Sequence, residues 1–300
     1  MREPVYDDRG LGTAYERYCF YQRMEAWASA YGIGSLLEGP FDGMAGVPGV
    51  HGVGLARQGV NVTSVVDSEA QVTATHGIYA SVGAAAEVHA LGEPGYESPA
   101  ELPMADMVLV YHAFAFVSDW RAHLREMARH ANKLLVVAVC NPDNWGVSFV
   151  RLLAKARGVS GPISPESWHT EHLAPLLWEL GRVKEHSYFD APWWPDLPVS
   201  PGQSLADRLK KLVVSDRDAE SLMQREGGEL AKKFVFNREK WPYFGGPGWA
   251  DELHPAMKRH PTFERASEKV KAYTSHLHVF VVDVSARTPQ ARRRLALSDE

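Results

Sequence analysis

The chain has 300 residues, 45% hydrophobic and 23% charged, with a net charge of −5 at pH 7. That length suits one large domain, or one domain carrying a substantial insertion. The acidic balance and the lack of a long basic run leave no electrostatic footprint for nucleic acid. Two cysteines, Cys19 and Cys140, exclude a disulfide scaffold and a CxxC zinc site.

In chain order, residues 12–31 carry Tyr15, Tyr18, Cys19, Met24, Trp27, Ala28 and Tyr31 at mixed three and four spacing, which predicts a helix with one broad buried face. Thr13 followed by Glu16 fits a capping box at its start. A short strand ends at Glu38. A glycine-rich loop then leads into a helix up to Arg57, with Gly59 placed to terminate it. Residues 60–67 are β-branched and apolar, a second strand. Ser68 is the expected N-cap of the next helix, and residues 85–91 form a third strand. After a Gly- and Pro-rich loop, "ADMVLVYHAF" is nearly continuously apolar, as a strand covered on both faces should be. A helix over 118–131 and a fifth strand over 133–142 follow. Strand and helix therefore alternate, which argues for a doubly wound, mostly parallel sheet.

Beyond the fifth strand the pattern predicts two further helices and a sixth strand, "RVKEHSYFD". Residues 191–261 break the regularity with Pro- and Trp-rich patches around a charged helical stretch, 204–234. A final strand is expected within 271–286. The expected division is an N-terminal helical segment (1–34), a core (35–190 plus 271–286) and an insertion or lid (191–270). No run of about 18 apolar residues predicts a membrane span. The charged N-terminus lacks the apolar stretch of a signal peptide. A cytoplasmic protein with no membrane or nucleic-acid partner is expected.

Ligands of open parallel sheets sit beyond the carboxyl ends of the strands, at the switch point next to the first strand. Glu38 ends strand one and the glycines follow it. Asp67 ends strand two, where a carboxylate can accept hydrogen bonds from ribose hydroxyls, with Ser68 beside it. Tyr111 and His112 fall near the end of strand four. Glycines after strand one let backbone approach a ligand closely. A structural role is open for each: the acids as caps, the glycines as turn residues, His112 as a strand-end histidine. The pairs His169/His172 and His276/His278 could share a face, but no acid or cysteine cluster accompanies them, so no metal is expected.

The ordered segments "LLEGPFDGMAG", "VTSVVDSEAQV" and "ADMVLVYHAFAFVSDWRAHLREMARHANKLLVVAVCNP" resemble the class I S-adenosylmethionine-dependent methyltransferases. The resemblance covers residues 30–190, and 273–284 more loosely. It implies a Rossmann-like sheet of seven strands with an antiparallel last strand inserted between the fifth and sixth. It also implies S-adenosylmethionine as cofactor. The cofactor contacts it implies are Glu38, Gly39, Asp42, Gly43, Gly46, Asp67, Ser68, Tyr111 and His112, with Glu93 as the candidate near the adenine. The chain departs from the family in a longer glycine loop that contains Pro40, Pro48 and the extra Asp42. Asp42 would orient the donor's amino group or cap the following turn.

Methyl transfer from a sulfonium needs alignment and exclusion of water more than acid–base chemistry, so no catalytic residue is named. Trp193, Trp194, Trp241 and Trp249 are candidates to wall an acceptor site. The expected activity is methyl transfer to a small-molecule acceptor, with a homodimer possible. The alternative is a methyltransferase-like binding or assembly protein without catalysis. A nicotinamide oxidoreductase is disfavoured because no G-x-G-x-x-G follows strand one.

Overall fold

A computed structural model describes residues 7–41, 46–156, 165–191, 234–244 and 263–285. Its elements in chain order are β1 (Asp8–Arg9), α1 (Leu11–Tyr31), β2 (Ser35–Glu38), α2 (Val53–Arg57), β3 (Asn61–Val66), α3 (Glu69–Ser81), β4 (Glu87–Ala90), β5 (Ala105–Tyr111), α4 (Trp120–Arg129), β6 (Ala131–Cys140), α5 (Trp145–Ala156), α6 (Thr170–Leu180), β7 (Arg182–Phe189), β8 (Val235–Phe236), α7 (Glu268–Thr274) and β9 (Leu277–Asp283).

The main sheet has seven strands in the order β4-β3-β2-β5-β6-β9-β7. All neighbours are parallel except β9, which runs antiparallel between β6 and β7. This is the doubly wound, mostly parallel sheet expected from the sequence, with the last strand inserted where the resemblance implies it. A second, two-stranded sheet pairs β1 with β8.

Side-chain alternation along the strands divides the core into two layers. On one face Leu36, Met107, Leu109, Leu134, Val136, Val279 and Val281 pack against α1, α2 and α3. On the other, Leu37, Val108, Val110, Leu135, Val137, Phe280 and Val282 pack against α4 and α6. The central strands are buried on both sides, which is why their sequences read as unbroken apolar runs.

Helix α1 differs from expectation at its start. It begins at Leu11, Gly10 is its N-cap with φ 89°, and no side chain caps it. The cause is tertiary: the Gly10 N–H bonds the Phe234 carbonyl oxygen at 2.8 Å, so the β1–β8 pairing sets the entry of the chain. Thr13 and Glu16 therefore lie inside the helix, and Glu16 turns to another partner. The far end of the chain also departs. Residues 271–274 close α7, in which Lys271 pairs with Glu268 at 2.6 Å, and the strand proper starts at Leu277. The Ser68 cap is found as expected, accepting from the Gln71 N–H. The stretch 204–233, expected to be helical, lies outside the described residues.

Candidate active site

The carboxyl ends of β2, β3, β4, β5, β6 and β7 share one edge of the sheet. The antiparallel β9 begins at that same edge, because Leu277 pairs with both Cys140 and Phe189. Glu38, Asp67, Tyr111, His112, Asp190 and His276 all follow from this placement.

Glu38 is 1% exposed. Its carboxylate accepts the backbone N–H groups of His51 and Gly52, each at 3.0 Å. It also takes a hydrogen bond from His51 Nδ1 at 2.5 Å. An ionised carboxylate only accepts, so the proton sits on Nδ1. Burial works to raise the Glu38 carboxyl, but the His51 charge and the converging donors outweigh it and hold the group below its usual range.

The loop after Glu38 is fastened down along its length. Ser64 Oγ donates to the Gly49 carbonyl at 2.9 Å, Thr75 Oγ1 to Pro48 at 3.0 Å and the Tyr21 hydroxyl to Val50 at 2.7 Å. A Cβ on Gly39 would lie 2.1 Å from the Val65 carbonyl oxygen, so glycine is demanded there by a backbone neighbour. Gly46 is demanded differently. Its φ is +114°, and a Cβ would meet Asp8 Oδ1 at 2.1 Å. Its open side thus faces the protein's own N-terminal arm. Asp42 and Gly43 lie outside the described residues.

Asp67 is exposed just beyond β3, and its N–H donates to Gln71 Oε1 at 2.8 Å. Ser68 is occupied as the helix cap. Glu93 folds back on its own turn, accepting the Ala90 N–H at 2.7 Å and facing His89 at 3.2 Å. The Ala90 bond is the main cause that keeps its carboxyl low, against burial and with help from His89. His89 in turn stacks on Tyr96 with centroids 3.9 Å apart, so this turn presents a flat aromatic surface next to Asp67's strand.

Tyr111 and His112 separate at the end of β5. The Tyr111 ring stacks on His51 with centroids 4.3 Å apart, and its hydroxyl donates to Glu16 Oε1 at 2.7 Å. His112 has left-handed backbone (φ 49°) and turns away to Cys140, whose N–H donates to His112 Nδ1 at 3.3 Å, and to the Trp168 ring at 5.1 Å.

Of the four tryptophans expected to wall an acceptor site, Trp193, Trp194 and Trp249 lie outside the described residues. Trp241 is 6% exposed, with its indole N–H donated to the Tyr21 hydroxyl at 3.3 Å and its ring under the Arg17 guanidinium at 5.5 Å. Packed among Tyr21, Tyr243 and Arg17, this ring anchors the chain near β8 onto α1.

Several residues at this edge escaped the sequence reading. His51 stands 13 positions after its partner Glu38 with no motif spacing. Glu16 read as a cap. Asp190 is 2% exposed with left-handed backbone (φ 55°), and its Oδ2 lies 3.0 Å from His276 Nδ1. The sequence pointed to His276 only as a neighbour of His278 on one strand face, and nothing in it pointed to Asp190. Glu16 is pushed up to about 8, chiefly by burial and then by the Asp190 charge, against the Tyr111 hydrogen bond. Among the described residues, no group of three or more His, Cys, Asp or Glu side chains could hold a metal ion.

This strand order with one antiparallel strand between β6 and β7 is the Rossmann-like methyltransferase fold. No family model and no curated protein matches the chain. Among solved structures it is similar to the magnesium protoporphyrin IX methyltransferase of Synechocystis PCC 6803 with bound SAH, at 15% identity over 56% of this chain and 74% of that one, TM-score 0.43. It is also similar to the plantazolicin methyltransferase BamL in complex with a triazolic desmethylPZN analogue and SAH, at 10% identity over 91% and 85%, TM-score 0.41. A third is the [4+2]-cyclase SpnF, at 11% identity over 88% and 80%, TM-score 0.40.

Proposed function

We propose that this protein transfers a methyl group from S-adenosylmethionine to a small-molecule acceptor. The observation that carries the proposal is the arrangement at the switch point: a buried, ionised Glu38 holds the loop after β2 while an exposed Asp67 ends the adjacent β3. Asp67 would accept from the ribose hydroxyls, and the His89–Tyr96 surface and Glu93 would lie toward the base. Bound S-adenosylmethionine supplies an activated methyl on a sulfonium. The chain's own task is to hold donor and acceptor in line and to keep water out. Residues 191–270 would act as the lid over the acceptor, tied to the core by the β1–β8 pairing and by the Phe263 N–H to Ala191 carbonyl bond of 2.7 Å.

Calorimetric titration with S-adenosylmethionine and S-adenosylhomocysteine tests the proposal. Binding by the wild type, lost in Asp67→Ala while the thermal midpoint is unchanged, is the expected outcome. Failure to bind either ligand at millimolar concentration overturns it.

A further inference from the structure

The carboxyl edge carries a second group of charges beside the proposed donor site. Asp190, between β7 and the described residue Ala191, has left-handed backbone, an uncommon state for a residue with a side chain and one that clusters at functional sites. Its Oδ2 faces His276, and the two are locked by the His276 N–H to Asp190 carbonyl bond of 2.8 Å. Its Oδ1 is buried and has no hydrogen-bond partner. A buried carboxylate oxygen left unpaired is costly unless something completes it. Glu16, on α1, lies within electrostatic reach of the same carboxylate.

The cations nearby are engaged elsewhere. Arg17 is spent on Asp8, with bonds of 3.0 and 2.9 Å. Arg23 bonds Ser187 Oγ at 2.9 Å and the Tyr188 carbonyl at 3.0 Å, and pairs with Glu185 at 3.3 Å and Glu264 at 3.9 Å. Glu264 itself accepts the Ala191 N–H at 2.8 Å. Among the described residues, the His276 imidazole faces Asp190 and the Tyr111 hydroxyl bonds Glu16, while the Arg17 charge also acts on Glu16. Aromatic rings cluster next to the group: Phe20 lies 4.7 Å from Tyr111 and 5.5 Å from Phe189, whose ring also carries Arg23 at 5.3 Å. The Asp190 carboxylate beside these rings favours a compact organic cation, and an ammonium entering here would ionise Glu16, which is protonated at pH 7 without one, its proton leaving to solvent. Glu16 and His276 both retain some exposure, which leaves a way in.

We propose that Asp190 and Glu16 form an amine-binding subsite, so that the methyl acceptor carries an ammonium group whose N–H donates to Asp190 Oδ1. This substrate class rests on the methyl-transfer proposal, but the subsite itself does not need the donor in order to bind. Benzylamine, a cation at pH 7, and benzyl alcohol, its neutral isostere, are the probes, titrated into the full chain with and without S-adenosylhomocysteine. A charge-assisted bond predicts about tenfold tighter binding of the amine. The preference should vanish in Asp190→Asn and weaken in Glu16→Gln. Circular dichroism shows whether each variant is folded, and if Asp190→Asn is not, Glu16→Gln decides. Equal binding of the two probes, or an undiminished preference in the folded variants, overturns the subsite. Absent S-adenosylhomocysteine binding overturns only the methyl-transfer proposal, because the amine arm is read without it.

Discussion

A carboxylate that is 1% exposed stays ionised at Glu38 because three N–H donors converge on it. Its lowered pKa means that the folded state binds a proton less readily than the unfolded chain, whose ordinary value is 4.5. The stability it contributes is complete above that value and is lost as pH falls through the lowered folded value. Glu38→Gln should cost about 2–4 kcal/mol at pH 7, since two backbone N–H groups and an imidazole lose their charged acceptor. It should also flatten the acid limb of a urea-midpoint profile. Glu16 has the opposite sign. Its folded value, raised to about 8 from 4.5, makes its contribution full below 4.5 and lost as pH rises toward 8. Urea midpoints at pH 5 and pH 8.5 should show the wild type weaker at the higher pH, and Glu16→Gln should remove that part of the decline.

At the scale of elements, β2 carries four residues and depends on its register with two neighbours, Leu36 opposite both Val62 and Met107. Gly39 lets the chain leave β2 against the Val65 carbonyl at a distance no Cβ tolerates. Backbone cannot yield as a flexible side chain can, so Gly39→Ala should shift β2 against β3. The expected result is loss of the cooperative unfolding transition, or a drop of more than about 3 kcal/mol, read by urea denaturation. The elements themselves were largely legible, because the periods of 2 and 3.6 are written into any layer that must bury one face. Element ends were less so. The Ser68 cap was readable because its partner, the Gln71 N–H, is three residues away. The start of α1 was not, because Phe234 fixes it from more than 200 positions away.

For the whole molecule, the joint that matters is the clasp between the N-terminal arm, the glycine loop and the chain after β8. Asp8, fully buried, accepts from Arg17, from the Val47 N–H at 3.2 Å and from the Tyr243 hydroxyl at 2.9 Å. Arg17 in turn donates to the Val47 carbonyl at 2.8 Å. Removing either partner strands a buried charge, so Asp8→Ala and Arg17→Met should each cost about 3–5 kcal/mol, and the double variant less than their sum. A urea-denaturation cycle measures the coupling. If the clasp also presets the loop, both single variants weaken S-adenosylhomocysteine binding as well.

The sequence alone determined the alternating strands and helices, the doubly wound sheet, and the acids Glu38 and Asp67 at adjoining strand ends, because local periodicity and strand order carry that information along the chain. Tertiary structure decided the rest. It joined His51 to Glu38, Tyr111 to Glu16 and Asp190 to His276, turned Gly46 toward Asp8, and sealed Trp241 into the core. Each of these depends on residues distant in sequence that meet only when the sheet edge closes, and a pairing made by burial leaves no spacing in the chain from which to read it.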